Sequence, residues 1–214
     1  MRVLTLVGAV LAIGAMVVWA QERRELNLRG GRFAPLTWDT LNPAQKTMVN
    51  DLLSGTRTAL NGPFNVLLRS PEMGNIAQKL GEYLRFRTAV PRKLNEMAIL
   101  MTAKAWDSQY EWVAHKSLAL EAGLSPAVAD DIQAGRRPSR LQPDEAVVYD
   151  FCTEMREKHR VSDATYKAAL TLLGERGVVD LIALMGYYDL VSMVLNVDKY
   201  PLPAGAGVPP FPEP

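Results

Sequence analysis

One cysteine, two histidines and almost no net charge in 214 residues each remove a class of function from consideration. Cys152 has no partner for an internal disulfide, and no CxxC or Cys/His spacing suggests a zinc site, which excludes thiol-pair redox chemistry within one chain. Lys and Arg (24) nearly balance Asp and Glu (23), and no basic stripe interleaved with aromatics is present, so nucleic acid is not an expected partner. Strand-like alternation is missing, and beyond the N-terminus no apolar run reads as long enough to cross a bilayer.

With 48% hydrophobic residues, the chain can build a substantial core without disulfides or metal, and its length suits a single domain. Residues 1–20, Met-Arg followed by an apolar run ending Val17-Val18-Trp19-Ala20, read as a signal peptide cleaved after Ala20. A retained membrane anchor is the alternative, and it is the one route to a membrane. Either form places the folded part outside the cytoplasm, in a bacterial periplasm. Residues 21–40 read as an extended segment wrapping the domain or a neighbour. Residues 41–200 form the domain. The tail 201–214, PLPAGAGVPPFPEP, is expected to be extended or disordered.

Within the domain, helix starts recur. Asn42-Pro43, Ser70-Pro71, Ser125-Pro126 and Gln142-Pro143 put proline at a first helical position, and Ser162-Asp163 is a fifth start. Met73, Ile76, Ala77, Leu80 and Leu84 fall on one helical stripe, as do Leu94, Met97, Ala98, Met101 and Ala105. Gly123 and Gly174 are natural helix stops. A last helix, residues 175–196, is apolar on more than one side and belongs at the centre or at a subunit interface. Two helical blocks, 42–123 and 142–196, flank a basic linker at 135–140. The fold class is all-α.

The chemistry concentrates in residues 91–123. His115 follows Glu111 by four residues and Ser108 by seven, which sets all three on one helix face. A carboxylate beside an imidazole raises its proton affinity, and such a pair can run acid-base chemistry near neutral pH. Glu96 lies on the preceding helix, and the weak helix formers Asp107-Ser108 mark a turn that folds it back towards His115. Tyr110 offers a hydroxyl, with Trp106 and Trp112 as apolar walls. The plainer alternative is a surface ion pair beside a half-buried tryptophan. Elsewhere, Cys152 reads as a buried inert thiol, His159 as a charge at a helix end, Asn196 as a helix terminator, and Tyr187 and Tyr188 as a core or interface pair. The methionine-rich stretch 97–101 reads as core. A metal on Glu111 and His115 lacks a further ligand.

The order GPFNVLLRSPEMG, LNEMAILMTAKAW, QYEWVAHKSLALEAGLS and LMGYYDLVSMVLN resembles the carboxymuconolactone decarboxylase and alkylhydroperoxidase D-like family, over residues 36–203. The peroxidase branch carries a glutamate, a CxxC pair and a histidine. Glu96 falls on the glutamate, Ser108 and Glu111 on the two cysteines, and His115 on the histidine. Without those cysteines the thiolate cycle cannot run. The resemblance therefore implies the decarboxylase side: a homo-oligomeric lyase, without metal or organic cofactor, acting on a small organic acid or lactone. In that reading His115 is general acid or base, Glu96 and Glu111 relay or tune its proton, Ser108 and Tyr110 contact substrate, and Arg69 or Arg85 holds a carboxylate. The alternatives are a peroxidase-like oxidoreductase and a non-catalytic small-molecule binding relative.

Overall fold

Asn42, Ser70, Ser125, Gln142 and Ser162 each stand immediately before a helix. The structure is a computed structural model that describes residues 25–57, 59–203 and 205–212; the expected signal peptide lies outside them. After one 3₁₀ turn at Trp38–Thr40 come α1 (Pro43–Ser54), α2 (Phe64–Leu67), α3 (Pro71–Phe86), α4 (Arg92–Ala105), α5 (Gln109–Glu121), α6 (Pro126–Gln133), α7 (Pro143–Lys158) and α8 (Asp163–Asp198). No strand occurs among the described residues. At α1 the cap is reciprocal: Asn42 accepts from the Gln45 amide at 2.9 Å while Gln45 accepts from the Asn42 amide at 2.8 Å, satisfying two donors that a helix start would otherwise leave bare.

Helix α4 sits at the centre, against α5, α6, α7 and α8. Every residue from Leu94 to Ala103 is buried, so its polar members need partners. Asn95 donates to the Leu84 carbonyl at 2.9 Å, Thr102 to the Ala98 carbonyl at 3.0 Å, and Glu96 meets His115. Helix α8 is divided by Gly174, whose φ of 67° is the left-handed value a side chain would resist. It is also long and apolar enough to cross a membrane by length and composition, which corrects the sequence reading that no second run qualifies. More than half of that apolar window is buried inside the domain, the pattern of a core helix.

The apolar stripe on α3 straddles the boundary of the core. Ala77 and Leu84 are buried, but Met73, Ile76 and Leu80 face outwards, Ile76 by 72%. The buried face is instead Gly74, Ala77, Gln78, Gly81 and Leu84. Small residues carry little apolar signal yet allow the closest approach. A Cβ on Gly74 would strike the Leu67 carbonyl, and one on Gly81 the Tyr187 hydroxyl.

Two apolar clusters result: one around α4 and α8, and one formed by residues 26–68 around Met48, Leu52 and Phe64. The extended lead-in folds onto this chain's own end. Gly31 and Phe33 donate to Asp198 Oδ1 at 3.2 and 2.8 Å. The proline-rich tail is extended and docked: Phe211 exchanges two hydrogen bonds with the Gln109 side chain and lies edge-on to Trp112 at 5.3 Å. A segment unable to form its own hydrogen-bond ladder borrows side-chain amides, Gln133 supplying another to the Pro210 carbonyl.

Candidate active site

Asp107 adopts left-handed φ (43°), and the Ser108 amide closes back on the Ala103 carbonyl at 2.8 Å. That turn ends α4 and sends α5 antiparallel along it, bringing Glu96 within reach of His115. His115 Nδ1 and Glu96 Oε2 are 2.6 Å apart. On the other side of the ring, Nε2 stands 3.3 Å from Glu111 Oε2, one helical turn back. This second contact is in ion-pair range without hydrogen-bond alignment, leaving Glu111 Oε2 buried with no donor. All three side chains are buried, so the surface ion pair of the plainer sequence reading does not describe them. Burial opposes a charge on His115, but Glu111 and Glu96 outweigh it and lift the imidazole to about 9. At neutral pH the ring therefore carries both protons, and Nδ1–H donates to Glu96.

The carboxylates occupy opposite ring nitrogens and do not converge on one point. Among the described residues no group of three or more His, Cys, Asp or Glu side chains is placed to hold a metal ion.

His115 and Glu111 open onto a cavity of about 310 Å³ at the seam between the two apolar clusters. Its walls come from residues 56–57, 59 and 61–63 of the connection between α1 and α2, the end of α3, α5 and α8. Tyr188 stands edge-on to His115 at 5.2 Å, and Tyr187 edge-on to Tyr188 at 5.3 Å. These two tyrosines are buried as a core pair and also line the cavity. Tyr110 lines it too, edge-on to Tyr200 at 4.6 Å, its hydroxyl pushed up to about 12, chiefly by burial. Glu96 is not on the wall; it stands behind His115.

Other residues singled out from the sequence sit elsewhere. Ser108 is buried at the start of α5, off the cavity wall, its hydroxyl without a partner. Trp106 and Trp112 are not its apolar walls: Trp106 donates to Asp189 at 2.6 Å, and Trp112 packs into the core. Phe64, Phe86, Leu118 and Val191 take that place. Arg69 is turned away, donating to the Ala34 carbonyl at 2.5 Å, because it leaves α2 towards the lead-in segment. Arg85 does line the cavity, and so does Arg57, which sequence reasoning missed. Arg57 lies in a loop without periodicity, and its one available signal was a lone cation among small polar residues in a nine-residue connection, where binding groups concentrate. Cys152 is fully buried, its thiol raised to about 12 by burial. His159 closes α7 with left-handed φ, and Asn196 stands within α8, donating to the Trp106 carbonyl at 2.7 Å.

No protein-family model matches this sequence, and no curated protein matches it. Among solved structures it is similar to the alkylhydroperoxidase AhpD core of an uncharacterized peroxidase-related protein from Ralstonia eutropha JMP134. The two share 18% identity with a TM-score of 0.66, over 83% of this chain and 97% of that one. The eight α-helices among the described residues, packed in that way, give an alkylhydroperoxidase D-like fold.

Proposed function

We propose that this protein is a carboxymuconolactone decarboxylase-like enzyme that moves protons on a small organic acid or lactone without a cofactor. One observation carries the reading: a buried imidazole held between two carboxylates, one of them lining a cavity open to solvent on one side. Glu111 lines the cavity with its Oε2 turned to His115 Nε2 at 3.3 Å, and it is the carboxylate that meets substrate. His115, protonated at neutral pH, supplies and recovers the proton through Nε2. Glu96, on the far side, fixes the ring and balances its charge, as a buried carboxylate does behind a catalytic histidine. Tyr188 covers one edge of the imidazole and Phe64 gives the cavity a buried apolar wall.

Peroxide reduction through a thiol is disfavoured. By the sequence resemblance Ser108 and Glu111 fall at the positions of the peroxidase branch's cysteine pair, and Cys152 is buried in the core with its thiol pKa raised by burial. Export to the periplasm and assembly with further copies of the chain complete the proposal.

The test is a panel of carboxylated lactones and β-keto acids incubated in deuterated buffer, with carbon dioxide release and C–H exchange followed by NMR. The reading expects protein-dependent turnover that Glu111→Gln and His115→Asn reduce at least 100-fold while circular dichroism is unchanged, in line with loss of acid-base assistance. Turnover that persists in both variants would sink it.

A further inference from the structure

The cavity holds two guanidinium groups with no carboxylate of their own. Arg57 comes from the loop and Arg85 from the last turn of α3, and both line the wall. Among the described residues neither has a salt bridge, and the Nε of each is buried with no hydrogen-bond partner. Each lies over an aromatic ring, Arg57 over Phe64 at 5.0 Å and Arg85 over Phe86 at 5.2 Å. Glu82, the carboxylate nearest the loop, is engaged by the Thr56 amide and hydroxyl, both at 3.0 Å. Burial lowers the pKa of Arg57 and Arg85 repels it further, while Tyr187, Tyr188 and, more weakly, Glu82 offset part of that without an ion-pair contact. Both guanidinium groups are half-buried, each with its Nε shut off from solvent and with no carboxylate in ion-pair contact, and the structure makes the two like charges neighbours.

Formal charges set the complement. Glu96 and Glu111 against protonated His115 leave the acid-base cluster at minus one, and the two arginines bring cluster and cavity wall together to plus one. A single negative charge neutralises it. Rings of Phe64, Phe86, Tyr187 and Tyr188 surround that charge, and a volume of about 310 Å³ is at the lower end for ligand sites.

From these observations we infer that the cavity binds a small monoanionic carboxylate with a flat unsaturated or aromatic body, its carboxylate bridging Arg57 and Arg85 and its body between the rings. Arg57 is then a specificity-determining residue delivered by the loop. Thr56 on Glu82 at one end and the Gly62 amide on the Tyr200 hydroxyl at 3.1 Å at the other keep that loop in place. The inference deepens the function proposed above and rests on it for which end of the ligand reacts, Glu111 and His115 lying away from the carboxylate. For binding alone it stands on the arginines.

Benzoate is the probe and benzamide its neutral isostere, titrated calorimetrically into the full protein, with His115 ring resonances as a second readout. Benzoate is expected to bind at least 10-fold more tightly than benzamide. Arg57→Gln and Arg85→Gln are each expected to weaken it roughly 10- to 100-fold, the worth of a charge-assisted contact, while circular dichroism confirms the fold. Arg57→Lys should recover part of the loss. Glu111→Gln should still bind benzoate, since it leaves both arginines in place. No benzoate binding, equal binding of benzamide, or retention of affinity in both glutamine variants overturns the inference. Arginine-dependent benzoate binding in a protein that turns over none of the candidate acids keeps this inference and sinks the acid-base reading, so the two fail separately.

Discussion

Glu96 on α4 and His115 on α5 meet at 2.6 Å across an interhelical turn, nineteen residues apart in sequence and both buried. This contact and the one to Glu111 make His115 an unusually basic imidazole. In NMR titration His115 is expected to show an apparent pKa of about 9. Glu96→Gln and Glu111→Gln should each lower it by about one pH unit or more, the effect of removing a close opposite charge. With two histidines in the chain, assignment is direct. A ring that titrates near 6.5 and ignores both substitutions would show that the cluster is not coupled.

The same shift sets the pH dependence of stability. Because the folded-state value lies above the usual 6.5, the cluster's contribution is fully present below pH 6.5 and is lost as pH rises through about 9. Across that window, urea unfolding should lose about 3 kcal/mol. A stability flat from pH 6.5 to 9 would contradict this account.

How far the sequence led depends on which physics each element uses. Prolines behind Asn42, Ser70, Ser125 and Gln142 act locally, through fixed φ and capping, and each marks a helix start. The pairing of Glu111 with His115 and the turn at Asp107 were also legible, because an i,i+4 offset and a weak helix former are local too, whereas the contact of Glu96 with His115 depends on how two helices pack and was left open by the sequence. The face of α3 was not. Its packing runs through Gly74 and Gly81, which carry no apolar signal, so periodicity pointed at Met73, Ile76 and Leu80. Arg57 and Arg69 show the same limit: which arginine reaches the cavity depends on where a loop closes in space. The tail's docking hinges on Gln109 finding Phe211, 102 residues away.

Gly81 gives a direct test of close approach. Its missing Cβ leaves room for the Tyr187 hydroxyl, and Tyr187 packs on Tyr188, which in turn covers His115. Gly81→Ala gains helix propensity of up to about 1 kcal/mol, but forcing a rigid ring aside costs about 1–3 kcal/mol. Net destabilisation in thermal unfolding, with displaced His115 ring resonances, is the expected result. A stabilised protein with unchanged resonances would mean that Tyr187 moves freely and does not set the cavity wall.

The second half of α8 carries a stripe that the fold does not cover. At 3.6 residues per turn, Val179, Ile182, Gly186, Met193 and Val197 align along one side of the helix, with Leu190 between them half-buried against the core. Val179 is 63% and Ile182 51% exposed, and the Gly186 backbone has open space above it. Exposed apolar residues scattered singly are ordinary, but an aligned run ending a core helix is what a second copy of the chain would cover. Light scattering should therefore give a multiple of the single-chain mass. Ile182→Asp, which places a charge in the middle of the stripe while leaving the core untouched, should return the single-chain mass with helical circular dichroism intact. A single-chain mass for the unsubstituted protein at high concentration would leave the stripe a plain solvent face and refute assembly through α8.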